Sequence, residues 1–322
     1  MAVYTNFTKD NIEEILSNYS IGNLNSYKGI QEGIENTNYY LLVNNKKYIL
    51  TIYEKRVKPS DLPFFSELMA GLNEANFKCP IPILNNHKKA ITNYKDKKMM
   101  IVSFLEGKAK KNLSPPNCKL IGTEVARMHE ITKKFDIKRE NDLSVNSWRK
   151  LFNSVKHECS KIHPDLSRLI EINLDDVEKN WPKNLPSGII HADLFSDNIF
   201  FQDDKFNGFI DFYFSCNDYY ALEIAICFNA LCFDGFQNNL SFNVTKAKFF
   251  IDGYTSIRKL TENEKLNIKT LSQGAALRFL LTRVFDSLNT VEGAIVRIKD
   301  PIEYLKRLEF HKNSKNFEDY FF

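Results

Sequence analysis

The sequence predicts an α+β chain in two unequal lobes: a small antiparallel sheet over residues 1–105, then a larger, mainly helical lobe over residues 106–322. Three observations predict it. Short runs with strand-like alternation gather between Ile21 and Phe104. Beyond Gly107 the apolar spacing turns helical for most of the remaining length. Within that helical half, one strand pair stands out, around Ile199 and Ile210.

Taken in order, residues Thr8 to Tyr19 carry Ile12, Ile15 and Leu16 at helical spacing, with Thr8 or Asp10 as the cap. Three strand-like runs follow, Ile21 to Tyr27, Tyr39 to Val43 and Tyr48 to Tyr53, the last two joined by a tight turn at Asn44-Asn45-Lys46. Asp61 and Pro63 open a helix bearing Phe65, Met69 and Leu72. After Cys79-Pro80-Ile81-Pro82 come two more strands, Ala90 to Tyr94 and Met99 to Phe104. The second lobe is read as helices over Asn117 to Phe135, Trp148 to Ile162, Leu166 to Trp181, Tyr220 to Phe233, Phe242 to Ile257 and Glu264 to Asn289.

Composition narrows the function classes. At 322 residues, 43% apolar and 26% charged, the chain has the make-up of a folded globular protein, which excludes disorder. Its net charge of +4 comes from interspersed residues, so it does not read as a dedicated nucleic-acid binder. The six cysteines form no Cys-x-x-Cys pair and several lie in apolar runs, so buried reduced thiols are expected. The N-terminus lacks a basic region followed by an apolar core, and no apolar run is long enough for a membrane span. A cytoplasmic protein without a membrane partner is expected.

The chemistry gathers in one segment. Asp193 stands two residues after His191 and five before Asn198, and a second carboxylate, Asp211, ends the apolar strand Phe209-Ile210. Ile199-Phe200-Phe201 and Phe209-Ile210 flank the polar turn Gln202-Asp203-Asp204-Lys205, a hairpin pattern that folds Asp211 back beside Asn198. An amide and a carboxylate so placed can share Mg²⁺, while Asp193 addresses a hydroxyl that attacks the γ-phosphate of ATP. His191 orients that loop rather than carrying a proton. His129, by contrast, is expected to be satisfied by a core partner.

A phosphate-binding end is expected in the first lobe. The loop from Lys28 to Asn38 offers Gly29, Gly33, Asn36 and Thr37, and glycine lets backbone N–H groups approach phosphate oxygens. On the third strand, where protein kinases carry a lysine, stands Thr51. Lys55 and Arg56 lie just beyond it, and the sequence does not choose between them as the phosphate cation.

Together these residues resemble the aminoglycoside phosphotransferase superfamily, which includes the choline kinases, and more narrowly its homoserine-kinase branch. The likeness rests on His191 to Phe201, Ile210 to Asp218, and Gly33 to Tyr39. It extends to Tyr48 to Thr51 with Glu54-Lys55-Arg56, Asp61 to Phe65, Leu222 to Phe233, Gly274 to Arg283, and Lys299-Asp300-Pro301 with Tyr304-Leu305. Thr51 departs from the superfamily pattern. So does Glu223, where related kinases usually carry Asp. The resemblance implies a bilobal, protein-kinase-like fold and transfer of phosphate from ATP to the hydroxyl of L-homoserine, on the route to threonine. It further implies Asp193 as base, Asn198 and Asp211 on Mg²⁺, and Ser103, Phe104 and Leu105 as an interlobe hinge against adenine.

Homoserine needs one cation and one acid to hold its charged ends. On the otherwise apolar helix from Ala275, the residues Arg278, Thr282, Asp286 and Asn289 share a stripe that would suit a small zwitterion. The same spacing suits an internal pair, Arg283 with Asp286 or Arg278 with a neighbouring acid. Trp148 with Arg149 and Asp218 are further candidates, the last to take the ammonium or to fix its loop. No acidic block marks the second lobe, which favours a small acceptor over a large polycation. A kinase for choline, methylthioribose or an aminoglycoside, or a non-catalytic nucleotide-binding scaffold, are the alternatives. Either a monomer or a homodimer is compatible with the sequence.

Overall fold

A computed structural model of the chain describes residues 5–30, 36–54, 57–235, 239–289 and 299–321. The first lobe is built on helix α1 (Lys9–Leu16) and strands β1 (Leu24–Ile30), β2 (Thr37–Val43), β3 (Lys46–Tyr53), β4 (Ile91–Tyr94) and β5 (Lys97–Ser103). All neighbours are antiparallel, in the order β1-β2-β3-β5-β4. Thr8 and Asn11 close a reciprocal cap that starts α1, a device worth about 1 kcal/mol. Ile12, Ile15 and Leu16 then bury against Tyr39, Leu41, Leu50, Ile52 and Ile101. Strand alternation sends the other side chains, Met100 and Val102, to the opposite face. There they meet Phe65, Met69 and Leu72 of α2 (Leu62–Glu74), and this core runs on into the second lobe.

The hairpin between β2 and β3 forms as expected, with Asn44 and Asn45 at φ of 45° and 60°, the left-handed turn that asparagine tolerates. The first strand lies further along than the sequence pattern suggests. Gly22 turns the chain at φ 110°, and the Asn23 N–H donates to Asn44 Oδ1 at 3.0 Å. Ile21 is thereby held in the turn, and pairing runs from Leu24 to Ile30. Gly29 is consequently a strand residue opposite Tyr39, not part of a loop.

The second lobe contains α3 (Pro115–Thr132), α4 (Val145–Val155), α5 (Leu166–Asn180), α6 (Tyr220–Leu231), α7 (Val244–Thr255), α8 (Glu262–Leu288) and α9 (Ile302–Asn313). Helices α3 and α7 cross almost backbone to backbone. A Cβ on Gly122 would stand 2.0 Å from the Phe250 carbonyl oxygen, and one on Gly253 the same distance from that of Lys119. Helix α9 has no counterpart in the sequence reading. Its packing against α8 gives it order that its weak apolar periodicity does not advertise.

Short strands thread this lobe. β6 (Lys108–Ala109), β8 (Ile199–Gln202) and β9 (Lys205–Phe209) form one sheet. β7 (Ser187–Ile190) pairs with β10 (Cys216–Tyr219), and β11 (Phe233–Asp234) with β12 (Ser241–Phe242). The segment singled out in the sequence joins the first two sheets: His191 leaves the end of β7, Asn198 precedes β8, and Asp211 follows β9. All six cysteines are buried and unbridged. Among the described residues no helix is long and apolar enough to cross a membrane.

Candidate active site

The β8–β9 hairpin turns at Asp203 and Asp204, both with positive φ, and pairs Ile199 with Phe209. One step outward, the Ile210 N–H donates to the Asn198 carbonyl at 3.0 Å. Asp211 thus emerges beside Asn198, itself left-handed at φ 62°, ψ 61°, with an exposed side chain. Asn198 is buried and spends its Nδ2 on Asp193, donating to the backbone oxygen at 2.8 Å and to Oδ2 at 3.1 Å. Asn198 is thus bonded to Asp193, and the backbone of Asp211 follows directly beside Asn198. A left-handed non-glycine residue stores strain that surrounding contacts must hold.

The loop carrying Asp193 is clamped from beneath. Ala192 is also left-handed, at φ 64°. Glu223, buried on α6, accepts hydrogen bonds from the backbone N–H groups of His191 and, at 3.0 Å, of Ala192. Arg278 of α8 donates through Nη1 to the Ala192 carbonyl at 2.6 Å. The His191 ring completes the clamp: Nε2–H donates to the Ile210 carbonyl at 2.9 Å, and Nδ1 accepts from the Asp193 N–H at 3.3 Å. Burial pushes the imidazole down to about 4, so the ring is neutral and holds its place by this tautomer.

Electrostatics follow from that burial. Desolvation pushes the Asp193 carboxyl up to about 6, against the pull of Arg278 and Lys299 and the bond from Asn198. Glu223 is pushed up to about 7 by burial, against its two backbone donors and Arg278. Arg278, 3% exposed, thus compensates Asp193, Asp218 and Glu223 together, while its guanidinium packs over the Phe279 ring at 4.7 Å. It is a buried keystone of the loop.

The other expected residues fall in several places. Thr51 is buried and neutral, donating to Asn38 Oδ1 at 2.8 Å and accepting from the Tyr213 hydroxyl at 3.5 Å. Asn36 Oδ1 accepts from the Glu54 N–H at 3.4 Å. The Thr37 hydroxyl donates to Glu54 Oε1 at 2.8 Å, so it is turned into the lobe. Gly33, Lys55 and Arg56 lie outside the described residues. Ser103 pairs with Ile81, and the Phe104 N–H is given to the Lys47 carbonyl at 3.2 Å. The Phe104 ring meets Tyr40 edge-on at 5.7 Å. Leu105 packs over Gly208 of β9, where one of its methyl carbons would stand 2.8 Å from an added Cβ.

Of the expected acceptor residues, Arg283 binds Glu303 at 2.9 Å and the Asp300 carbonyl at 2.8 Å, partners on α9 and its approach rather than Asp286. Asp286 is half-buried on the same helix. Asp218 accepts from Asn141 at 2.7 Å and from the Tyr219 N–H at 2.7 Å, so it fixes its loop, and burial raises its carboxyl. Trp148 is a core residue, 1% exposed, its Nε1 donating to the Leu143 carbonyl at 2.8 Å and its ring edge-on to Trp181. His129 sits against the Tyr254 hydroxyl at 2.8 Å, as a core histidine would.

Two residues near Asp193 escaped the sequence reading. Lys299 lies 3.7 Å from Asp197 and 4.9 Å over the Phe195 ring. Tyr304 is fully buried, 5.3 Å from Phe279, which itself meets Phe195 edge-on at 4.9 Å. Their only signal was their place in the string Lys299-Asp300-Pro301 with Tyr304-Leu305.

Comparison with known proteins places the chain in a family. The model of the phosphotransferase enzyme family matches residues 26–258. A homoserine kinase of Bradyrhizobium diazoefficiens is 45% identical over 321 residues, covering 99% of this chain and 97% of the relative. Another from Paramagnetospirillum magneticum is 45% identical over 318 residues, covering 97% of each. Among solved structures, amicoumacin kinase hAmiN in complex with AMP-PNP, Ca²⁺ and Ami superposes with a TM-score of 0.72 at 12% identity, over 97% of this chain and 95% of that one. Choline kinase from Cryptosporidium parvum gives 0.66 at 17% identity, over 95% and 94%. Those structures share the fold, and the full-length relatives narrow the branch. With a bilobal fold, a clamped Asp193 loop and near-complete coverage at this identity, the chain belongs to the phosphotransferase enzyme family and, within it, to the homoserine kinases.

Proposed function

We propose that this chain transfers the γ-phosphoryl group of ATP to the hydroxyl of L-homoserine, giving O-phospho-L-homoserine on the route to threonine. The observation that carries the reading is Asp193 on a clamped, left-handed loop, with Asn198 bonded to it and Asp211 beside Asn198. At neutral pH a carboxyl held near 6 is ionised and can accept the hydroxyl proton as the phosphoryl group transfers in line. His191, neutral and bonded at both nitrogens, keeps that carboxylate aimed.

The residues suit Mg²⁺. Asn198 commits its nitrogen to Asp193 and keeps its side-chain oxygen for a cation, and Asp211 adds an exposed carboxylate. Two such oxygens, with no larger acid cluster among the described residues, match an ion held by one or two protein groups plus substrate phosphates. When bound, Mg²⁺ supplies positive charge to the phosphate oxygens. In this reading the lobes divide at 105/106, and Ser103, Phe104 and Leu105 of the connecting segment meet adenine. With the Phe104 N–H already given to Lys47, the Phe104 carbonyl and the Leu105 N–H have no backbone partner among the described residues. Gly29, Asn36 and Thr51 belong to the donor lobe, with Thr51 contributing no charge. The small acceptor sits on the Asp193 side, towards α8 and α9.

The test is ADP release over L-homoserine, choline, methylthioribose and an aminoglycoside. Homoserine should be turned over fastest, and Asp193→Asn should abolish turnover while leaving nucleotide binding. Homoserine inert beside a brisk rival would overturn the acceptor, and near-normal activity of Asp193→Asn would overturn the mechanism.

A further inference from the structure

The proposed acceptor carries a carboxylate, and each cation marked by sequence already holds a protein group, although Arg278 Nε, like that of Arg307, is buried without a hydrogen bond. Arg278 is committed to the Ala192 carbonyl and Arg283 to Glu303. Helix α9 supplies another. Arg307 lies one turn beyond Tyr304, and the guanidinium carbons of Arg283 and Arg307 each stand 4.5 Å from the centre of the Tyr304 ring. Arg307 also packs 5.4 Å over the Phe233 ring. Unlike Arg283, it has no carboxylate partner among the described residues, and its Nε is buried without a hydrogen bond. The Tyr304 hydroxyl is likewise buried and makes no well-formed hydrogen bond, with Arg307 as a close polar neighbour.

A buried guanidinium nitrogen and phenol with no well-formed acceptor are costly, and such sites commonly receive a ligand group. The ligand's class follows from the donors: a guanidinium and a phenol together suit a carboxylate. The place follows from the ring chain Phe195, Phe279, Tyr304, which connects the stack to the loop of Asp193. Tyr304 is close enough to feel the charge of Asp193, and the partly exposed Arg307 remains reachable by a small molecule.

We infer that Arg307, together with the Tyr304 hydroxyl, receives the α-carboxylate of the amino-acid acceptor and so sets specificity for amino acids over simple amino alcohols. This rests on the acceptor proposed above.

The test compares L-homoserine with 3-amino-1-propanol, which keeps the hydroxyl and the ammonium and lacks the carboxylate. Arg307→Met retains the aliphatic stem over Tyr304. It should raise KM for homoserine by roughly ten- to a hundredfold, as loss of a charge-assisted bond does. KM for ATP and the efficiency on aminopropanol should stay unchanged, and Arg307→Lys should recover part of the loss. An unchanged homoserine KM, or equal losses on both acceptors and on ATP, would overturn the inference. A wild-type chain inert towards homoserine would instead overturn the proposed acceptor, and the inference with it.

Discussion

Glu223 offers the sharpest perturbation of the site, because it touches the loop of Asp193 only through backbone. Replacing it by alanine strands the N–H groups of His191 and Ala192 in a fully buried position. Each stranded donor costs about 1–3 kcal/mol, so the pair costs about 2–6 kcal/mol. The left-handed Ala192 would keep only the Arg278 bond to its carbonyl, so the ~1–3 kcal/mol of strain it already carries favours a shift of the loop. Part of this relaxes by movement of the loop, and Asp193 is the next residue. A displacement of about 1 Å costs on the order of a hundredfold in rate. Glu223→Ala should therefore lose both stability in urea melts and roughly a hundredfold in kcat by ADP release.

Glu223→Gln keeps one acceptor oxygen and should recover most of the activity. It should also change how stability depends on pH. The folded chain holds the Glu223 carboxyl at about 7, against an ordinary 4.5, so it binds that proton more tightly than the unfolded chain. The stability this proton contributes is complete below pH 4.5 and is lost as pH rises to about 7. The difference is on the order of 3 kcal/mol. Glutamine does not ionise, so the variant should gain on the wild type across that window. An Ala variant with normal kcat, or a stability difference between Gln and wild type that is flat from pH 4.5 to 8, would refute the clamp.

The remaining predictions concern the neighbours. kcat/KM should rise as pH climbs through about 6, where Asp193 loses its proton, and Lys299→Met should move that limb to higher pH by removing a cation that favours the carboxylate; an unmoved limb argues against Lys299 as a partner of the base. Asp211→Ala should raise the Mg²⁺ concentration needed for half-maximal rate, read by titration after chelation with EDTA, whereas an unchanged requirement would remove Asp211 from the ion. Trp148→Ala should cost about 3–5 kcal/mol in urea melts by opening a cavity, with KM for homoserine and ATP in the surviving folded fraction unmoved.

The grouping of the candidate site was legible in the sequence because it is local. His191, Asp193 and Asn198 lie within eight residues, and the Asp203-Asp204 turn returns Asp211 to them by strand pairing alone. Strands β2 to β5 and most helices were legible for the same reason, since burial of one face writes a period of two or of 3.6 into the chain. The β1 start was not, because its boundary depends on a hydrogen bond to Asn44, across the sheet.

Which cations are free was decided only by the tertiary structure. A helical stripe marks Arg278 and Arg283 alike, yet one is spent on a backbone carbonyl 86 residues away and the other on Glu303 of a helix the pattern did not reveal. Likewise, nothing in the spacing separates a tryptophan that lines a pocket from Trp148, which fills the core. Sequence determines which groups are present and which lie near along the chain. The partners that neutralise, bury or leave them available come from segments far apart, and only folding brings those together.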